Sequence, residues 1–94
     1  MQEIIGGKRY DTETALCIAD NNYWDGHNWE RGGRNRYLYK TAKGNFFLHD
    51  VSQWQGELDR ITAITAAEAE VYYEQLPEKN VEFKTAFDRE PEIA

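Results

Sequence analysis

The sequence predicts a small α+β domain in which an antiparallel sheet of four to six strands is covered on one face by a C-terminal helix. Two stretches lead to this prediction. Residues 35–51 have the pattern of two strands joined by a turn, and residues 65–77 have the pattern of a helix with a defined start and end. A chain of 94 residues is long enough for one hydrophobic core, so we expect residues 1–94 to form a single domain.

The hairpin predicted at residues 35–51 rests on alternating side chains on either side of a turn. Tyr37 and Tyr39 share one side of the first strand, and the second strand, "NFFLHDVS", also alternates between its two sides. The segment "AKGN" between them supplies the turn, because Gly44 can adopt a positive φ. We expect the two tyrosine rings to pack in the core.

The helix that follows has recognisable boundaries. Thr65 and Glu68 have the spacing of a capping box, and Pro77 ends the helical pattern. Helical periodicity places four residues on one face, which we expect to pack on the sheet: Ala69, Tyr72, Tyr73 and Leu76.

The remaining elements are shorter. "EIIGGKRYD" predicts two short strands around a Gly-Gly turn, and "RITAI" predicts a further strand. "ALCIAD" has the length of a strand, although a short helix over residues 12–19 is a real competitor that periodicity alone does not exclude. After the helix, Val81, Phe83 and Phe87 predict a docked strand or short helical turn, and residues 88–94 predict a frayed tail.

Charge is unevenly distributed along a chain whose net charge is −6. Five basic residues and one acidic residue lie between positions 30 and 43, whereas eight acidic and three basic residues lie between positions 65 and 94. A net negative charge disfavours non-specific binding to nucleic acid, which depends on Lys and Arg. An acidic end can instead dock on a basic surface that normally holds nucleic acid.

Three groups of residues are candidates for contact with a partner. An acidic group extends from the helix into the tail and resembles spaced phosphates. A second group places large rings in two loops, and Trp and Tyr are enriched in the energetic centres of interfaces. A third group mixes Arg and Lys with rings, as single-strand binders do. The acidic group is Glu70, Glu74, Glu78 and Glu82; the aromatic group is Tyr23, Trp24, Trp29 and Trp54; the basic group is Arg31, Arg34, Arg36 and Lys40.

The sequence offers no pattern for catalysis, metal binding or a cofactor. His27 and His49 have no Cys or His at ligand spacing, so we expect no metal site. A pair of carboxylates could serve acid–base catalysis, but only proximity in the sequence supports such a pair here. The candidates are Asp20, Asp25 and Asp50. The single cysteine, Cys17, is expected to be a small buried residue rather than a reactive thiol. We therefore expect no enzyme, and a small hydrolase is the least favoured alternative.

Three segments together resemble a known group of proteins: "GGKRYDTETA", "YLYKTAKGNFFLH" and "ITAITAAEAEVYYEQL". They are similar to a widespread group of small bacterial proteins found with phages, plasmids and integrated elements, and the resemblance covers most of residues 4–76. Small acidic proteins of this sort include inhibitors of CRISPR–Cas systems. The resemblance implies a direct protein partner and carries over no catalytic residue.

The leading hypothesis is a non-enzymatic anti-CRISPR inhibitor that binds a subunit of a CRISPR–Cas effector at a basic, nucleic-acid-binding surface and blocks DNA recognition. The alternative is a single-stranded nucleic-acid or regulatory module that uses the basic hairpin. No apolar run is long enough for a membrane span, and no secretory signal is visible, so a cytoplasmic location in the bacterial host is expected. An exposed sheet edge would allow either a monomer or a homodimer.

Overall fold

The computed structural model describes residues 1–21, 34–52 and 59–89, with only the backbone of Arg34 and Ser52. It confirms the predicted α+β class. Within these residues a five-stranded antiparallel sheet has the strand order β6-β5-β4-β3-β7, and β1 and β2 form a separate two-stranded sheet. The elements in chain order are β1 (Gln2–Ile5), β2 (Lys8–Asp11), β3 (Leu16–Asp20), β4 (Arg34–Lys40), β5 (Phe46–Ser52), β6 (Arg60–Ile64), α1 (Ala66–Gln75), β7 (Glu78–Lys79) and α2 (Phe83–Phe87).

The predicted hairpin at residues 35–51 is confirmed as β4 and β5. The two strands pair without interruption from Arg34 opposite Ser52 to Lys40 opposite Phe46. Gly44 has a φ of 86°, which a residue with a Cβ rarely adopts, and its N–H donates to the carbonyl of Thr41 at 2.9 Å. The short turn therefore fixes the register of the longest strand pair in the sheet.

The ambiguous segment before this hairpin is a strand. β3 pairs with β4, but its register shifts between Cys17 and Ala19. This bulge places Ile18 and Ala19, both fully buried, in the same core cluster. Pairing with β4 therefore determines that this segment forms a strand and not a helix. The local sequence alone does not specify this pairing.

Helix α1 begins and ends where the sequence predicts. Thr65 Oγ1 accepts from the Glu68 N–H at 3.1 Å, and the Glu68 carboxylate accepts from the Thr65 N–H at 3.0 Å. The helix ends before Leu76, whose extended ψ of 129° is the conformation expected ahead of Pro77. All four residues predicted for the inner face contribute to the core beneath the helix.

The main core lies between the sheet and the two helices. Leu38 and Leu48 face each other across β4 and β5 and pack with Ala69 and Tyr73 of α1. The C-terminal segment, predicted to dock as a strand or helical turn, forms the helix α2. Its Phe87 stacks on Phe46, with ring centroids 5.3 Å apart.

A second, smaller cluster lies on the opposite face of the sheet. Tyr39 stacks on Phe47 at 5.0 Å, and Tyr10 of β2 packs its edge against Phe47 at 5.5 Å. Tyr39 and Tyr37 are only half-buried. The expectation that both tyrosines pack in the core is therefore met only in part, because the helix covers the other face of their strand.

The start of the predicted tail is in contact with the rest of the fold. Asp88 adopts a left-handed conformation and its N–H donates to the carbonyl of Lys84 at 2.8 Å, which ends α2. Arg89 contacts the Glu70 carboxylate and lies 5.1 Å from the Phe83 ring. Residues 90–94 of the tail lie outside the described part of the chain.

Candidate interaction surface

Helix α1 and the segment after it carry the four glutamates predicted to bind a partner. Glu70 and Glu74 are one helical turn apart on α1, Glu78 lies in β7, and Glu82 is the N-cap residue that immediately precedes α2. Glu74, Glu78 and Glu82 are exposed, and Glu70 is half-buried. We refer to these four residues as the acidic surface, which extends around the β7 side of the sheet: Glu70 and Glu74 lie on α1, whereas Glu78, opposite Asp20 of β3, points to the other face of the sheet.

The charges on this surface are unequally neutralised. Glu70 is paired with Arg89. For Glu74, Glu78 and Glu82, no side-chain hydrogen bond or ion pair is present among residues 1–21, 34–52 and 59–89. Their charges therefore face solvent without a fixed counter-ion in the described fold.

Lys79 lies next to these glutamates but points at the end of the helix. Its Nζ donates to the carbonyl of Leu76 and, at 3.3 Å, to the carbonyl of Glu74. It also lies 5.6 Å from the centre of the Tyr73 ring. A lysine at this position satisfies carbonyls left open at the helix C-terminus and leaves the Glu74 carboxylate unpaired.

Tyr73 connects the helix to Glu82. The Tyr73 hydroxyl donates to the carbonyl of Val81 at 2.8 Å. Burial of the ring raises the pKa of the Tyr73 hydroxyl, and the charge of Glu82 raises that pKa further. Glu82 therefore lies close enough to α1 to act on Tyr73 electrostatically.

Hydrogen bonds made by Asn80 hold the segment that carries Glu78 against the sheet. Asn80 donates from Nδ2 to Asp20 Oδ2 at 2.9 Å, and its N–H donates to the carbonyl of Ile18 at 3.0 Å. Asp20 is only 9% exposed and also accepts from the Cys17 thiol at 3.8 Å. This arrangement is not predictable from the sequence, because Asp20 and Asn80 lie 60 residues apart and no local pattern links them.

Cys17 is half-buried, so the expectation of a buried residue holds only partly. Burial raises the pKa of the Cys17 thiol to about 11, and the adjacent Asp20 carboxylate contributes to the rise. At neutral pH the thiol remains protonated, which agrees with the expectation of an unreactive cysteine.

The basic residues of the hairpin are engaged within the fold where the structure describes them. Arg36 donates from Nε to Asp50 at 2.7 Å and lies 5.2 Å from the Tyr72 ring centre. Lys40 is 3.2 Å from Asp88 and 6.0 Å from the Phe46 ring centre. The side chains of Arg31 and Arg34 lie outside the described residues. Arg36 and Lys40 thus stabilise the packing of the helices on the sheet.

The four aromatic loop residues also lie outside the described part of the chain: Tyr23, Trp24, Trp29 and Trp54. These four residues lie in two segments of the chain, 22–33 and 53–58. The residues on either side of each segment belong to the same end of the five-stranded sheet. The first segment leaves β3 after Asn21 and enters β4 at Arg34, which pairs with Ser52 at the start of the second segment. The topology thus anchors both segments at the same end of the sheet.

Of the three aspartates considered as candidates for an acid–base pair, Asp20 and Asp50 are not brought together. Asp20 lies opposite Tyr37 and Asp50 lies opposite Arg36, so these two aspartates project from opposite faces of the sheet. Asp25 lies outside the described residues. Asp50 is instead the ion-pair partner of Arg36.

The second face of the sheet carries buried polar atoms near the same end. His49 Nε2 lies 3.4 Å from Asp59 Oδ2 without the geometry of a hydrogen bond, and its side chain is 12% exposed. Asn35 is 5% exposed, and its Oδ1 has no hydrogen-bond partner. Within residues 1–21, 34–52 and 59–89, no three His, Cys, Asp or Glu side chains are grouped in a way that could hold a metal ion.

The described helices are too short and too polar for any of them to cross a membrane. Comparison with protein-family models gave no match, and comparisons with curated proteins and with solved structures gave no significant match.

Proposed function

We propose that this protein is a non-enzymatic inhibitor that binds a protein partner through its acidic surface. The observation that carries the proposal is the exposure of Glu74, Glu78 and Glu82 without fixed counter-ions in the described fold. Five glutamates and one lysine lie between residues 66 and 82, and that lysine caps α1. A surface of this kind is complementary to a basic groove.

The partner we propose is a subunit of a CRISPR–Cas effector, bound at a basic surface that otherwise holds DNA. Support comes from the resemblance of residues 4–76 to small proteins of mobile elements and from the negative charge and exposure of Glu74, Glu78 and Glu82. Binding would block DNA recognition by occupying the groove. Because charges at the rim of an interface act mainly on encounter, the association rate should fall as ionic strength rises.

The test is an affinity purification from lysate of a host that carries a CRISPR–Cas system, with the protein as bait and mass spectrometry as the readout. The variant carries Glu74→Lys with Glu78→Lys. The matched control carries Glu3→Lys with Glu13→Lys, which changes net charge equally at two exposed glutamates of the N-terminal region.

The proposal predicts that an effector subunit is recovered with the wild type and with the control, and lost with the variant at Glu74 and Glu78. Recovery of the same proteins with all three baits would contradict it. An electrophoretic mobility shift assay should then show that the wild type prevents the recovered effector from binding its target DNA.

The same preparation tests the alternative of direct nucleic-acid binding. Arg36 and Lys40 are occupied by Asp50 and Asp88, so we expect no shift of a labelled single-stranded oligonucleotide at low salt. A shift that disappears with Arg36→Ala and Lys40→Ala would replace the inhibitor proposal with the nucleic-acid module.

A further inference from the structure

Strand β6 forms a long edge of the five-stranded sheet. It pairs with β5, and no other described strand is hydrogen-bonded to its second side; β1 contacts β6, and its Ile5 packs against the smaller core cluster that contains Ile61. The opposite edge is β7, which is only two residues long. β6 has five residues, Arg60–Ile64, all in unbroken antiparallel register with β5. The two edges therefore differ in how much backbone they offer to another strand.

β6 lacks several of the features that natural proteins use to block such an edge. It contains no proline and no bulge, and its one charge, Arg60, is at the first position. Ile61, Thr62 and Ile64 are β-branched residues, which favour strands. Thr62, at the centre of the strand, is exposed. The edge is therefore suited to pair with a further strand.

We propose that the free edge of β6 binds the β6 strand of a second copy of this chain, antiparallel and with the two-fold axis at Thr62. This register places Thr62 opposite the second copy's Thr62, and Arg60 opposite its Ile64. Like charges do not meet directly, and a Thr–Thr pair across two strands is favourable. An isologous pair of this kind closes on itself and forms a dimer.

The same register continues the smaller core cluster across the dimer. Ile61 is 6% exposed and packs with Tyr10 and Phe47 on the face opposite the helices. Ala63 lies on that face too, because it pairs with Phe47, and it packs against the cluster. In the proposed pairing Ile61 lies opposite the second copy's Ala63, so apolar side chains meet on this face. This self-complementarity favours a second copy over an unrelated strand.

Dimerisation at β6 leaves the acidic surface free. Glu78 lies in β7, and three strands separate β7 from β6 in the sheet. A dimer would therefore present two acidic surfaces, one towards each outer edge of the joined sheet. The inference does not depend on the proposed function, since it rests on the sheet alone.

The experiment measures mass by sedimentation velocity over a range of protein concentrations. The wild type should sediment with twice the chain mass of 11.0 kDa. Thr62→Lys places two like charges opposite each other and should give the monomer mass with an unchanged circular dichroism spectrum. The matched control, Thr85→Lys, adds the same charge at an exposed threonine of α2 and should remain a dimer.

A charge-swap experiment makes the register itself testable. An equimolar mixture of the Thr62→Lys and Thr62→Glu variants should recover the dimer, because opposite charges then face each other at the axis. A wild-type mass of 11.0 kDa at every concentration would overturn the proposal. So would a dimer that persists equally in Thr62→Lys and Thr85→Lys, since the interface would then lie elsewhere.

Discussion

Asn80 should contribute more to stability than its exposed position suggests. Its side chain donates to the nearly buried Asp20 carboxylate at 2.9 Å, and its backbone continues the attachment of β7 to β3. A hydrogen bond to a charged group contributes about 1.5–3 kcal/mol. Because Asn80 borders solvent, water can replace part of the lost interaction, so we expect Asn80→Ala to cost about 1.5–2 kcal/mol.

The assay is urea unfolding followed by circular dichroism, with thermal unfolding as a second measure. The free energy of unfolding should fall by this amount with an unchanged m-value. The melting temperature should fall by roughly 6–16 °C, since about 1 kcal/mol corresponds to 4–8 °C in a domain of this size. Asn45→Ala is the control, because the Asn45 side chain makes no hydrogen bond within the described residues.

A double-mutant cycle separates the Asn80–Asp20 bond from other effects of the two substitutions. Asn80→Ala and Asp20→Ala should couple by about 0.5–3 kcal/mol, the range for residues in one hydrogen-bonded network. Coupling near zero would refute the reasoning, as would an Asn80→Ala variant as stable as Asn45→Ala. In either case the segment carrying Glu78 would be held by its backbone pairing alone.

Three further predictions concern the core, the helix start and the cysteine. Leu38→Ala should lower the free energy of unfolding in urea by about 2–5 kcal/mol, because Leu38 is fully buried. Leu16→Ala, at a position that is 48% exposed, should lower it far less. Equal losses would contradict the assigned core. Thr65→Ala removes the capping box and should lower the free energy of unfolding by about 1 kcal/mol. An unchanged free energy of unfolding would show that the capping box does not stabilise the fold. Cys17 should react with a thiol reagent at pH 8 roughly 10-fold more slowly in the native than in the unfolded protein. A thiol pKa of about 11, against the ordinary value of 9.0, lowers the fraction of thiolate, and the greater nucleophilicity of the more basic thiolate offsets part of that loss; equal rates would refute the shift.

The parts of the fold that the sequence predicts well are those with local signals. The hairpin of β4 and β5 follows from alternation and Gly44, and α1 follows from Thr65, Glu68 and Pro77. These residues act on neighbours a few positions away, so their effect can be inferred without knowing the tertiary structure.

The parts that the sequence leaves open depend on distant partners. The bulge at Ile18 exists because β3 must pair with β4 while it buries two consecutive residues. β7 is a strand only because it meets β3, and two residues carry no periodicity. β1 and β2 form a sheet of their own, which places Tyr10 on the face opposite the helices.

The candidate interaction surface also combines features that follow from the local sequence with features that depend on tertiary contacts. The exposure of Glu74 follows from helical periodicity, but the pairing of Glu70 with Arg89 requires α2 to turn back on α1. Arg36 and Lys40 form a basic stretch in the sequence, yet the fold places each beside an aspartate. Charge order along the chain therefore predicts the exposure of Glu74, Glu78 and Glu82 better than it predicts the contacts of the basic hairpin.

The most direct test of the central claim is the association rate between this protein and the effector subunit recovered with it, measured by stopped flow as a function of ionic strength. The proposed mode of binding predicts a rate that falls steeply with added salt. It also predicts a lower rate and a weaker salt dependence for Glu74→Lys with Glu78→Lys than for Glu3→Lys with Glu13→Lys. An association rate that is insensitive to salt and equal in the two variants would contradict binding through the acidic surface.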